Sequence, residues 1–136
     1  MRRFIALLLL AIAPAIVTGC GSDNPTDPTA SIAGTYALAS VDGAPLPIIV
    51  LEGNPRLEVV SDHITLAAGG TLTRNIVFRF TQDGVASTQS EVDRGTFTVS
   101  GSTVNLLMSG GTFAGAVSDN TITIVSEGST LIYRRA

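Results

Sequence analysis

Apolar and polar residues alternate in short runs along the last third of this chain, and turn-forming clusters separate the runs at a spacing of nine. Gly101, Gly110, Asp119 and Gly128 mark them, in Ser100-Gly101-Ser102, Ser109-Gly110-Gly111, Ser118-Asp119-Asn120 and Glu127-Gly128-Ser129. Seven strand residues and a two-residue loop make that repeat, and Gly, Asp and Asn tolerate the positive φ of tight hairpin turns. An antiparallel meander of short strands is predicted. Loops at Gly101-Ser102, Gly110-Gly111, Asp119-Asn120 and Gly128-Ser129 oppose Phe97 to Leu106, Met108 to Phe113, Val117 to Ile122 and Ile124 to Tyr133. All four place the apolar residues on one face. The other face carries Thr96, Thr98, Thr103, Asn105, Thr112, Thr121, Thr123 and Thr130, as in a sheet wet on one side.

Upstream, Ala68-Gly69-Gly70 and Gln82-Asp83-Gly84 read as three-residue loops with glycine last, in the left-handed position. Leu72, Arg74, Ile76, Phe78 and Phe80 then face inward with Ile64 and Leu66, and Thr88 and Ser90 face inward on the following strand. A first strand, Thr35 to Val41, offers Tyr36 and Leu38 to the core, and Arg56 to Val60 is a further strand candidate. Between Asp42 and Asn54, Pro45 and Pro47 bar a central strand, while Leu46 and Ile48 to Leu51 are too apolar for a free loop. This segment reads as a loop packed on the core, a flap over an open barrel end, or a short edge strand. The expected fold is all-β: an up-and-down antiparallel meander of about 8–10 strands, a number at which twisted sheets curl and close.

The start of the chain is of another kind. Met1-Arg2-Arg3 is basic, Phe4 to Val17 is apolar except for Pro14, and Val17-Thr18-Gly19-Cys20 follows. The apolar run has 14 residues, short of the roughly 20 that span a bilayer, so a removable signal-peptide helix is expected over 1–19. Val17 to Cys20 resembles a bacterial lipobox. That resemblance implies diacylglyceryl attachment to the Cys20 sulfur, cleavage before it and acylation of the new amino terminus. Residues 20–31 are polar and proline-punctuated, a flexible lipid-anchored tether before a domain over 32–136. Gly21 after the cysteine suits sorting to the outer membrane, periplasmic face, within the cell envelope.

Removal of residues 1–19 from the 136-residue chain leaves 117, enough for one domain. Without Arg2 and Arg3 the net charge falls from −3 to −5, which argues against nucleic acid and against a polybasic membrane patch. The chain has no lysine, which excludes a Walker-type loop, a Schiff-base lysine and a Ser-Lys dyad. Its single cysteine allows no disulfide, and its single histidine, His63, gives too few ligands for a histidine zinc site. His63 and Asp62 point to opposite faces of a strand, so no acid–base pair arises there. Glu91 and Asp93 share a face and read as solvated charges. No cofactor, no metal and no enzymatic activity are expected.

Gly34-Thr35-Tyr36 opening the first strand, Val41-Asp42-Gly43 before the proline segment and Tyr133-Arg134-Arg135 resemble the small lipocalin-like domains of bacterial lipoproteins, with META-type lipoprotein domains a near alternative. The resemblance covers Ser31 to Ala136. It implies a lipocalin-like barrel locked at its base by a cation–π contact between Tyr36 and Arg134 or Arg135, Arg134 being the residue assigned. Arg74 is the unusual residue of the inner face, because a buried unpaired guanidinium costs several kcal/mol. With Thr88 and Ser90 it could fix the anionic headgroup of a ligand; otherwise it reaches water at the rim. The expected function is a non-enzymatic, membrane-anchored envelope lipoprotein whose barrel binds a small apolar or amphipathic ligand. The alternative is a filled barrel acting as a structural or protein-interaction module, with an envelope protein as partner.

Overall fold

The computed structural model describes residues 28–136. Cys20, the leader and positions 20–27 of the expected tether lie outside the described residues. Positions 28–31 of that tether form a single helical turn, α1 (Pro28–Ser31). Ten strands follow: β1 (Gly34–Val41), β2 (Ala44–Pro45), β3 (Ile48–Leu51), β4 (Arg56–Leu66), β5 (Thr71–Gln82), β6 (Val85–Ser100), β7 (Thr103–Met108), β8 (Gly111–Ser118), β9 (Thr121–Ser126) and β10 (Ser129–Arg135). They form one antiparallel sheet in the order β2-β1-β10-β9-β8-β7-β6-β5-β4-β3, and β1 also pairs with β4. That last pairing closes β1 and β4 to β10 into an eight-stranded barrel, and β2 and β3 are left as the two appended edges.

The ring closes over only part of its height. Gly34–Ala37 of β1 pairs with Leu66–His63 of β4. Beyond Leu38, β1 turns to β2, while the first half of β4 pairs with β3. Register shifts occur in β1 between Leu38 and Ser40, in β3 between Ile49 and Leu51, and in β4 between Val59 and Ser61. Bulges bend strands and re-aim side chains at barrel rims, and these three lie around one seam. The apolar stretch after Pro47 is therefore an edge strand. Arg56–Val60 belongs to β4, a single strand that continues through its bulge.

Alternation sorts the side chains. Tyr36, Ile64, Leu66, Leu72, Phe97, Val104, Leu106, Ile122 and Tyr133 form the core, each almost wholly removed from water. At about 25 cal/mol per Å² of apolar surface, such side chains supply most of the drive to close the ring. The turns at the base are stitched by backbone hydrogen bonds: Phe97 N donates to Gly70 O, Val117 N to Ser102 O and Arg135 N to Asn120 O, at 2.7–2.8 Å. The opposite end is uneven. β6 pairs with β5 from Val85 to Thr96 but with β7 only from Thr96 to Ser100, so β4, β5 and β6 rise above the short wall of β7 to β10. Gly95 sits at the parting of β6 from β7, where a β-carbon would collide with the Leu107 carbonyl.

From Phe97 onward the predicted faces hold, but several pairings differ. Val99–Val104, Phe97–Leu106, Val117–Ile122 and Gly115–Ile124 pair as expected. The β7–β8 and β9–β10 hairpins turn at Ser109-Gly110 and Glu127-Gly128, so Leu106 faces Phe113 and Ile122 faces Tyr133. Each moves by two partners, which leaves every side chain on its predicted face. Glu127 and Gly128 have φ of 51° and 82°, so glycine takes the second place of a two-residue turn. The Ala68-Gly69-Gly70 loop is three-residue with Gly70 at φ 92°, as expected. The β5–β6 loop is not: Gln82 pairs with Val85 around Asp83-Gly84, both at positive φ, a two-residue turn. This difference of one residue inverts the faces of the rising half of β6.

Candidate binding site

The barrel interior is built around three polar side chains from three strands. Ile64 of β4 pairs with Arg74 of β5, and Asp62 with Ile76, so Asp62 and Arg74 are diagonal neighbours on the inner face. Tyr133 reaches them from β10, two strands away round the ring, where it pairs with Leu38. Arg74 Nε donates to Asp62 Oδ1 at 3.0 Å and Oδ2 at 3.1 Å, and Nη2 donates to Oδ2 at 2.6 Å. The Tyr133 hydroxyl donates to the same Oδ2 at 2.8 Å. Asp62 is 1% exposed, whereas the Arg74 side chain keeps 27% of its surface open. The hydrogen bond from Arg74 to Asp62 holds the guanidinium in its charged form, beyond its usual range. Burial, reinforced by the Asp62 charge, pushes the Tyr133 phenol well above its ordinary value and keeps it protonated.

Open space surrounds this cluster on three sides. A cavity of about 290 Å³ lies between Arg74, Met108, Phe113, Ile124, Leu131 and Tyr133, with Glu127 at its rim. A second of about 310 Å³ lies between Arg74, Ile76, Met108 and Phe113, bordered by Glu91 and Asp93 where β6 has parted from β7. A third, of about 170 Å³, sits behind the seam against Leu38, Val41, Ile48, Val59 and Ile76. Arg74 lines all three. Asp93 is held at the rim, its Oδ2 accepting from Ser109 Oγ at 2.7 Å and Ser109 N at 3.2 Å.

Thr88 and Ser90 do not join Arg74. They pair with Arg79 and Val77, while Arg74 pairs with Asp93. Paired residues share a face, so both point away from the interior, and both are exposed. Asp62 is the partner that sequence reasoning did not supply. Its signal was available, since an acid two places before Ile64 and four before Leu66 falls on their face. The bulge beyond it means that Val59 and Leu57, not Val60 and Glu58, continue that face opposite Phe78 and Phe80. Glu58 is turned outward and paired there, with Arg56 at 3.1 Å and Arg79 at 2.7 Å. His63 lies on the outer face and is exposed.

At the base, the residue that meets Tyr36 is Arg135, not Arg134. Tyr36 pairs directly with Arg135 in register, and Arg134, one place along, alternates outward and is exposed. Arg135 Cζ is 5.0 Å from the Tyr36 ring centroid. Its Nη2 donates to the Tyr36 hydroxyl at 2.8 Å, Nη1 to Ala33 O at 2.6 Å and Nε to Asn120 Oδ1 at 3.1 Å. The Tyr36 hydroxyl donates in turn to Ile32 O at 2.9 Å. Gly34, at φ 144°, makes room: a β-carbon there would lie 2.6 Å from Arg135 Nη1. Among the described residues no group of three or more His, Cys, Asp or Glu side chains is placed to hold a metal ion.

Fold and site together define a small antiparallel β-barrel, closed and packed at its base and open round an arginine–aspartate–tyrosine cluster above it. No family model, no curated protein and no solved structure matches the chain.

Proposed function

We propose that this protein is a non-enzymatic envelope lipoprotein, anchored through lipid on Cys20, whose lipocalin-like barrel binds a small amphipathic molecule. The observation that carries the reading is the join of three cavities at Arg74, two of them close to the 300 Å³ at which small-molecule sites begin. Met108 and Phe113 line both of the larger cavities, the third is almost wholly apolar, and Arg74 is the polar group common to all three. A guanidinium has five N–H donors, and the bonds to Asp62 come from Nε and Nη2 alone. An acyl or ring portion would lie against Met108, Phe113 and Ile124, with its polar end on Arg74.

A protein-interaction role is the second reading, favoured by one observation. Edge strand β3 presents Ile49, Val50 and Leu51 at 41–57% exposure, unusual for three consecutive large apolar residues. The test is mass spectrometry of the full chain purified from its own host in a mild non-ionic detergent. The expected result is a diacylglyceryl mass on Cys20, absent in Cys20→Ser, and a copurifying small molecule that Met108→Trp excludes. A chain carrying its anchor but empty in every preparation would favour the β3 reading.

A further inference from the structure

We infer that the site takes an uncharged amphipathic molecule with a hydrogen-bond acceptor at its polar end, and discriminates against the corresponding carboxylate. The inference rests on the binding role proposed above and specifies its ligand. An inward arginine in a small barrel suggests a counter-ion for an acid, but here the counter-ion is built in. Asp62 Oδ2 stands 2.6 Å from Arg74 Nη2, with no water-filled gap to screen the pair, so the two charges cancel for anything arriving from the cavity. Tyr133 adds no positive charge; its hydroxyl is committed to Asp62.

The approaches carry the opposite sign from the one an anion needs. Glu127 borders the first cavity, and Glu91 and Asp93 border the second. A carboxylate would lose its hydration, pass these acids and meet a guanidinium already neutralised. An ammonium has only donors to offer, so the free Arg74 N–H groups find no acceptor on it. An amide, ester or alcohol has neither difficulty: its oxygen accepts from the Arg74 donors that Asp62 leaves unengaged, and no charge is stripped of water. Desolvated charge without a partner is what such sites reject most strongly.

The experiment offers dodecanamide and dodecanoate at equal concentration to the full chain in non-ionic detergent and reads the ratio of the two adducts by native mass spectrometry. At least tenfold more amide adduct is expected. Asp62→Asn, which frees the Arg74 charge, should reverse the ratio. The exposed rim variant Glu91→Gln/Glu127→Gln, which touches no core residue, should raise the dodecanoate share severalfold, so the idea is tested even if Asp62→Asn fails to fold. Equal or greater binding of dodecanoate by the unmodified chain overturns this inference and leaves the binding role standing. Binding of neither compound overturns both.

Discussion

Asp62 and Arg74 show what a charge inside a small barrel requires. Two strands in register bring them within reach, and the carboxylate then takes donors from Arg74 and from Tyr133 on a third strand. Removing one partner of a buried pair costs about 3–5 kcal/mol, because the other is left uncompensated. Arg74→Met should fall within that range, since it strands Asp62, 1% exposed, with only the Tyr133 hydroxyl as a donor. Asp62→Leu/Arg74→Met, which removes both charges, should recover most of the loss. Urea midpoints of the two variants check this, and a double variant no more stable than Arg74→Met would show that the pair is not what matters. The sequence pointed to Arg74 as a residue in need of a partner, since an arginine between Leu72 and Ile76 has no cheap explanation. Asp62 was legible in the same way, since its spacing from Ile64 and Leu66 puts it on the inner face; only its meeting with Arg74 depends on the β4–β5 register.

At the scale of strands, β6 decides the shape of the site. Its first twelve residues, Val85 to Thr96, pair with β5 and its last five, Thr96 to Ser100, pair with β7, and Gly95 stands where β7 departs. Gly95→Ala would force a methyl against the Leu107 backbone, a clash of the overpacking kind that costs about 1–3 kcal/mol. Because the obstacle is main chain, which cannot rotate aside, the upper end is expected, with loss of amide-exchange protection concentrated in β6 and β7. Normal protection there would refute the role given to Gly95. The strands also show where sequence reading succeeded. Four turns predicted from Gly and Asp spacing gave the right faces, because an error of two residues in a hairpin changes partners without changing sides. Asp83-Gly84 was read one residue too long, and that slip placed Thr88 and Ser90 inside. Pure alternation of polar residues such as Ser87 to Ser90 contains nothing to reveal the mistake, whereas in β7 to β10 any odd slip would have exposed Leu106 or Ile122. Edge strand β3 was left among three readings, since Pro45 and Pro47 break the pattern on which such readings depend.

For the whole molecule, the two tyrosines govern behaviour in alkali. Burial raises the Tyr133 phenol above its ordinary value of 10.0, and burial also raises Tyr36 against the opposing charge of Arg135. Above pH 10 the unfolded chain gives up protons that the folded chain keeps, so stability falls as pH rises. The contribution is complete below pH 10 and is lost through the range up to the folded values. Urea midpoints taken on either side of pH 10 should decline, with a shallower slope in Tyr133→Phe. Tyrosinate absorbance appearing at pH 10 while the fold persists would contradict this, and the signal is unobscured because the chain has no tryptophan.

The arrangement of β1 has a consequence for how the protein is made. Its partner along most of its length is β10, and Tyr36 meets Arg135 across 99 positions of sequence. Every other join in the ring is between strands consecutive in the chain, apart from the short contact with β4. During synthesis β1 emerges early and must wait for residues 129–135 before its main neighbour exists. Distant contacts are slow to form because the entropy of closing the intervening loop comes first. The ring of a nascent chain therefore stays unfinished until its last strand has been made.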